Sequence, residues 1–241
     1  MKRKEMMMHT HLQKYATLLL CMSGGMVDVL GYLGLGHVLT ANMTGNIVLL
    51  GIAIARAQEF VIFRALLALA GFIAGNALAA HILGQVRSKN GWSVRVTAVL
   101  TLESILLLVF AILMISPIAD QISYFLIVLL AIAMGMQTTA ARRIGIAGIS
   151  TTVLTNNLAA VIEDTVSILH RLRHATIRSL FKELPTDAYL RAGAVMIYLG
   201  GVILAALLFH HVPSIAVWIP VLIIAGVTLQ ARFASWGKTD A

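Results

Sequence analysis

The side chains in this sequence with the most chemistry in them are set deep in apolar surroundings. Thr40, Asn42, Thr44, Gly45 and Asn46 fall within seven residues, between an apolar stretch that ends at Leu35 and the wholly apolar run Ile47–Ala55. A second such group, Thr151, Thr152, Thr155, Asn156 and Asn157, stands in the second half of the chain. Two carboxylates, Asp28 and Glu103, lie inside long apolar stretches, and Gln137 lies inside another.

In hydrocarbon an unpaired backbone or side-chain polar group costs several kcal/mol, so interrupted backbone persists only within protein or beside water. The two Thr/Asn groups therefore read as interruptions of helices that line a cavity. A helix that starts at such a break presents free N–H groups and the positive end of its dipole, which attract anions or carbonyl oxygens. Thr44 and Thr155 are expected as N-caps, and Gly45 allows close backbone approach. Both groups are read as substrate-binding, with Gln137 beside them. Asp28 and Glu103 are read as proton-coupling residues, because an intramembrane carboxylate is expensive and suggests ion or proton binding. A plainer reading stays open for each: Thr and Asn also join helices by hydrogen bonds, and a carboxyl can be a packing residue.

The elements that must position these residues are spans. The chain has 241 residues, 59% of them hydrophobic and 12% charged, with mean hydropathy +0.91. Soluble domains carry about 25% charged residues, so this is an integral membrane protein of one all-α domain, residues 1–241. The net charge of +8 resides in short basic stretches between apolar spans. It reads as loops facing an anionic leaflet, with no call for a nucleic-acid partner. Cys21 is the only cysteine, which excludes an intramolecular disulfide and a cysteine-based metal cluster. The basic start Met1–Lys14 leads into an apolar stretch without a clear cleavage site, and reads as an uncleaved first span.

About 20 apolar residues cross a hydrocarbon core of about 30 Å. Spans are expected at Tyr15–Leu35, Ile62–Val86, Val94–Ile115, Ile122–Ala141, Ala188–Phe209 and Ser214–Gln230. The interrupted pieces His37–Ala57 and Ile144–Leu169 either re-enter, giving six crossings, or cross, giving eight. The distribution of Lys and Arg favours six, with both termini cytoplasmic and Arg56 and Arg64 as the exceptions.

The halves also repeat. Thr44–Asn46 aligns with Thr155–Asn157 at a step of 111, which sets Gly24 against Gly135 and Asp28 against Thr139. Phe72–Ala80 aligns with Tyr198–Ala206 at a step of 126. Residues 15–115 and 122–230 thus read as two repeats of three spans and one broken helix. An odd number of crossings makes the second repeat inverted, the pattern of secondary transporters.

The stretch from Ser23-Gly24-Gly25-Met26-Val27-Asp28 through Gly31-Tyr32-Leu33 to Thr40–Asn46 closely resembles the YoaK-like family of bacterial membrane proteins. So do Ala133–Gln137, Arg142-Arg143 and Thr151–Thr155. The resemblance implies a polytopic protein of a family of unknown function, at times described as a permease. The expected function is a secondary transporter or permease of a small polar or anionic solute in the bacterial inner membrane, proton-coupled through Asp28. The alternatives are a channel-like facilitator and a non-transporting membrane assembly protein. No Walker loop, Rossmann glycine pattern, nucleophile elbow or His ligand set is present, so neither an enzyme, a cofactor nor a metal is expected.

Overall fold

A computed structural model describes residues 2–85, 92–144, 154–172 and 186–235. Among them are eight α-helices: α1 Lys2–Gly34, α2 Met43–Ala55, α3 Glu59–Leu83, α4 Val94–Met114, α5 Ser123–Ile144, α6 Leu154–Leu172, α7 Thr186–His211 and α8 Pro213–Ser235. Six stretches are long and apolar enough to cross a membrane, one each in α1, α3, α4, α5, α7 and α8. They fall on the six stretches expected from hydropathy. The largest difference is at the start, where the helix runs back from the apolar stretch to Lys2.

The two interrupted pieces are shorter or more polar. α2 is apolar but has 13 residues, about 20 Å at 1.5 Å per residue, too short for a core of about 30 Å. α6 carries Glu163 and Asp164, and the Asp164 carboxylate accepts two hydrogen bonds from the Arg191 guanidinium of α7, at 3.0 and 3.3 Å. Such a paired charge suits a helix that is only partly in hydrocarbon.

Helix ends follow local chemistry. Asn42 caps α2, its side chain accepting from the Gly45 N–H, and Ser93 caps α4 by accepting from the Val96 N–H. Thr44, expected as the cap, lies one residue inside the helix, and Thr155 likewise follows Leu154 inside α6. α1 closes through the His37 N–H bonded to the Tyr32 carbonyl at 3.0 Å, with Gly36 and His37 in the left-handed region. At the end of α3, Arg95 and Arg143 donate to the carbonyls of Leu83 and Gly84. Cations there complement the exposed carbonyls and the negative end of the dipole.

The packing divides into two like halves. α1 packs on α7 as α5 packs on α3, α2 on α3 as α6 on α7, α4 on α5 as α8 on α1, and α3 on α4 as α7 on α8. The two remaining packed pairs, α1 with α5 and α4 with α8, are their own counterparts. Exchanging the first four helices for the last four thus turns every packed pair into another packed pair. Burial follows the same exchange: 72% and 67% of the spans in α1 and α5, 44% of each in α4 and α8, 22% and 17% in α3 and α7. The core therefore sits along α1 and α5, with α3 and α7 at the periphery.

Glycines let the outer helices approach the inner ones. A Cβ on Gly75 of α3 would strike the Ile132 carbonyl of α5, and one on Gly135 of α5 would strike the Phe72 carbonyl of α3. In the other half Gly201 of α7 faces the Met22 carbonyl and Gly25 of α1 faces that of Tyr198. These contacts correspond at a step of 126 on the outer helices, as the alignment has it. On the inner helices they correspond at 110, so Gly25 rather than Gly24 is the counterpart of Gly135.

Gly75→Ala and Gly135→Ala should each lower stability by about 1–3 kcal/mol, the cost of forcing atoms into a filled interface. Gly51→Ala and Gly200→Ala, where a Cβ meets nothing within 4 Å, should leave it unchanged or slightly raised. Thermal unfolding in detergent compares the four. An equal loss in all of them would mean the crossings are not close.

Candidate functional site

Between α1 and α2 the backbone leaves helical geometry for residues 35–42, and its polar groups must be met by side chains. Asp28 of α1, buried to 4% exposure, meets two of them. Its Oδ1 accepts from the N–H of Ala41 at 2.7 Å and of Asn42 at 3.3 Å. Its Oδ2 accepts from the hydroxyl of Tyr198 on α7 at 2.9 Å. Three donors on two oxygens is the acceptor-only role a carboxylate fills.

Asn46, at the end of the first turn of α2 and fully buried, holds the other side of the break. Its Oδ1 accepts from the Leu39 N–H at 3.0 Å and its Nδ2 donates to the Leu39 carbonyl. One carboxamide thus satisfies both backbone groups of one residue, as a neighbouring strand would. At Gly45 a Cβ would meet the tip of the Leu39 side chain, which would have to shift to admit it. Thr40 is buried between these grips, against Gly31, and its hydroxyl has no partner.

The residues singled out from sequence separate as follows. Asp28, Thr40, Asn42, Gly45 and Asn46 form one connected cluster, to which the structure adds Tyr198. The signal for Tyr198 lay in the repeat, where its counterpart is Phe72: a hydroxyl stands on one side only. Thr44 is exposed. Gln137 donates from Nε2 to the Leu20 carbonyl at 2.8 Å, joining α5 to α1, while its Oε1 is buried without a partner. The Ser23 hydroxyl on α1 is likewise buried and unpartnered. In the second half Asn157 is buried and hydrogen-bonded or otherwise engaged, as Asn46 is; Thr155 and Asn156 are exposed. Thr151 and Thr152 lie outside the described residues. α2 and α6 do not touch among those residues, so any site shared by the two polar groups is a space between helices and not a contact. Glu103, buried in α4, is hydrogen-bonded to none of these.

Arg64, an exception to the charge pattern, is explained by the same loop. Its guanidinium lies against Gly36 and about the ring of Tyr124, 6.0 Å from the centroid. A cation so placed gains from the aromatic face.

Six apolar spans, two half-length or polar helices and a side-chain-held break in the backbone define a multi-pass helical membrane protein. The family described as "Protein of unknown function (DUF1275)" matches residues 16–230, and the chain belongs to that family. It is similar to the "UPF0700 transmembrane protein YoaK" of Bacillus subtilis (strain 168), with 43% identity over 220 residues, 91% of this chain and 94% of that protein. No solved structure matches it.

Asp28→Ala should strand the Ala41 and Asn42 N–H groups and lower stability by at least about 2 kcal/mol. Asp28→Asn keeps an acceptor for them and should cost less, and Tyr198→Phe should cost about 1 kcal/mol for one lost hydrogen bond. Denaturation in detergent reads all three. An Asp28→Ala protein as stable as the wild type would show that water satisfies the loop instead.

Proposed function

We propose that the protein is a secondary transporter of a small polar or anionic solute in the bacterial inner membrane. The observation that carries this reading is the exchange of packed pairs between the two halves. Two like units, each with one short or polar helix that begins beside a Thr/Asn group, can rock against each other around a fixed central site. With three crossings in each, the second unit is inverted relative to the first, and both termini are cytoplasmic. The buried, unpartnered hydroxyls of Thr40 and Ser23 and the Oε1 of Gln137 are polar groups available to such a solute, and Asn46 fixes the start of α2.

A specific observation favours a second reading. Asp28 is committed to the loop, which removes it as a freely exchanging proton carrier. A facilitator that lets solute follow its own gradient needs no such carrier.

In a Cys21→Ala background, a cysteine placed at Ser88 should react with an impermeant thiol reagent only after the membrane is opened. Strong labelling of intact cells would overturn the six-crossing arrangement. A metabolite that binds should raise the unfolding temperature, by mass action on the folded state. In liposomes a coupled transporter should accumulate that metabolite and lose the accumulation with a protonophore. Flux that only follows the solute gradient and ignores the protonophore would assign the facilitator.

A further inference from the structure

Glu103 is the most exposed contradiction in the molecule between a side chain and its surroundings. It has no accessible surface, and neither Oε1 nor Oε2 has a hydrogen-bond partner. It lies nine positions from Val94 and eleven from Met114, hence about 14 Å from one end of α4 and about 16 Å from the other, at the middle of the helix. The residues on its face of the helix, Leu100, Leu107 and Phe110, are fully buried hydrocarbon.

Among the described residues of the helices packed on α4, no charged side chain stands near the middle of its helix. α4 packs on α3, α5 and α8. The titratable or charged side chains of α3 are Glu59 and Arg64 in its first two turns and His81 in its last. Those of α5 are Tyr124 at its start and Arg142 and Arg143 at its end, and that of α8 is Arg232 in its last turns. Arg95, on α4 itself, is bonded at the end of α3. An ionised carboxylate without donor or counter-ion in such a place costs many kcal/mol, so in this closed arrangement Glu103 holds a proton. For packing alone a Leu would fill the space at less cost. What a carboxyl adds is the ability to release the proton when the surroundings change.

The surroundings that can change are beside it. The Ser104 hydroxyl, one residue on, lies 3.3 Å from the Thr228 hydroxyl of α8. The α4–α8 pair is one of the two that the exchange of halves maps onto itself, so it lies on the boundary between them. Ser104 and Thr228 thus join that boundary one residue from Glu103.

We propose that Glu103 is the exchangeable proton site of this protein, occupied in the closed arrangement and emptied when α4 and α8 part. This deepens the transporter reading by moving the coupling proton from Asp28 to Glu103. It rests on that reading for its purpose but not for its test, which needs no solute.

The test uses dicyclohexylcarbodiimide, an apolar reagent that adds to protonated carboxyls in membranes to leave a stable N-acylurea. The full-length protein in liposomes is treated in a series of buffers from acidic to alkaline, and the adduct is located by peptide mass spectrometry. The expected result is an adduct on Glu103 in acid that falls several-fold as the buffer becomes alkaline. Glu103→Gln, checked for monodisperse elution, should lose it. Should that variant fail to fold, the infrared band of a protonated carboxyl in the wild-type protein, present in acid and lost in alkali, decides in its place. No adduct on Glu103 in acid, an adduct on Asp28 in its stead, or an extent that ignores pH would each overturn the proposal. The last would make Glu103 a permanently neutral packing residue. Proton exchange at Glu103 in a protein that moves no solute would leave this assignment standing and defeat the transporter reading.

Discussion

A break in backbone hydrogen bonding inside a membrane protein has to be met by side chains, and here the Asp28 carboxylate meets it. Its bonds to the Ala41 and Asn42 N–H groups, with the carboxamide of Asn46 on Leu39, replace the ladder that a continuous helix would have supplied. Without them residues 35–42 would carry unsatisfied donors and acceptors into an apolar interior, at a cost of several kcal/mol each. With them α1 can end, the chain can turn, and α2 can begin as a half-length helix. The bond from Tyr198 to the same carboxylate ties this break to α7. The loop of one half is thereby anchored on a helix of the other.

The scaffold around that anchor obeys another constraint, close approach of backbones. Glycines at matching positions let α3 pack onto α5 and α7 onto α1 with carbonyls where side chains would otherwise stand. In lipid, where hydrocarbon is no worse a neighbour than leucine, such small-residue contacts are what hold helices together. They also explain why the inner helices are so much more buried than the outer ones.

The two halves are alike in packing and unlike in charge. α2 carries no charged residue, whereas α6 carries Glu163 and an Asp164 paired with Arg191. α4 holds a buried carboxyl, and α8, its counterpart, has no acidic residue. Function in a repeated fold is expected where the repeat is broken, since the shared residues serve the scaffold common to both halves. Asn46 and Asn157, buried in corresponding helices, belong to that scaffold; Asp28 with Tyr198 anchors the break of the first half, and the Glu103 carboxyl makes no hydrogen bond at all.

Hydropathy alone determined six spans and their ends to within a few residues, because a run of about 20 apolar residues admits few alternatives in a bilayer. Composition alone determined that the first Thr/Asn group interrupts a helix, and the repeat of 126 set Gly75 against Gly201. Tertiary structure decided the rest. It made Asn42 and not Thr44 the cap, and it brought Tyr198 to Asp28 across 170 positions. It also shifted the correspondence of the inner helices from 111 to 110, paired Asp28 while leaving Glu103 bare, and kept α2 away from α6. The reason is geometric. Hydropathy is summed over a whole span and tolerates a slip of one residue. A hydrogen bond between helices does not, because one residue turns a side chain by about 100° around the axis. That rotation is set only when every helix is packed against its neighbours.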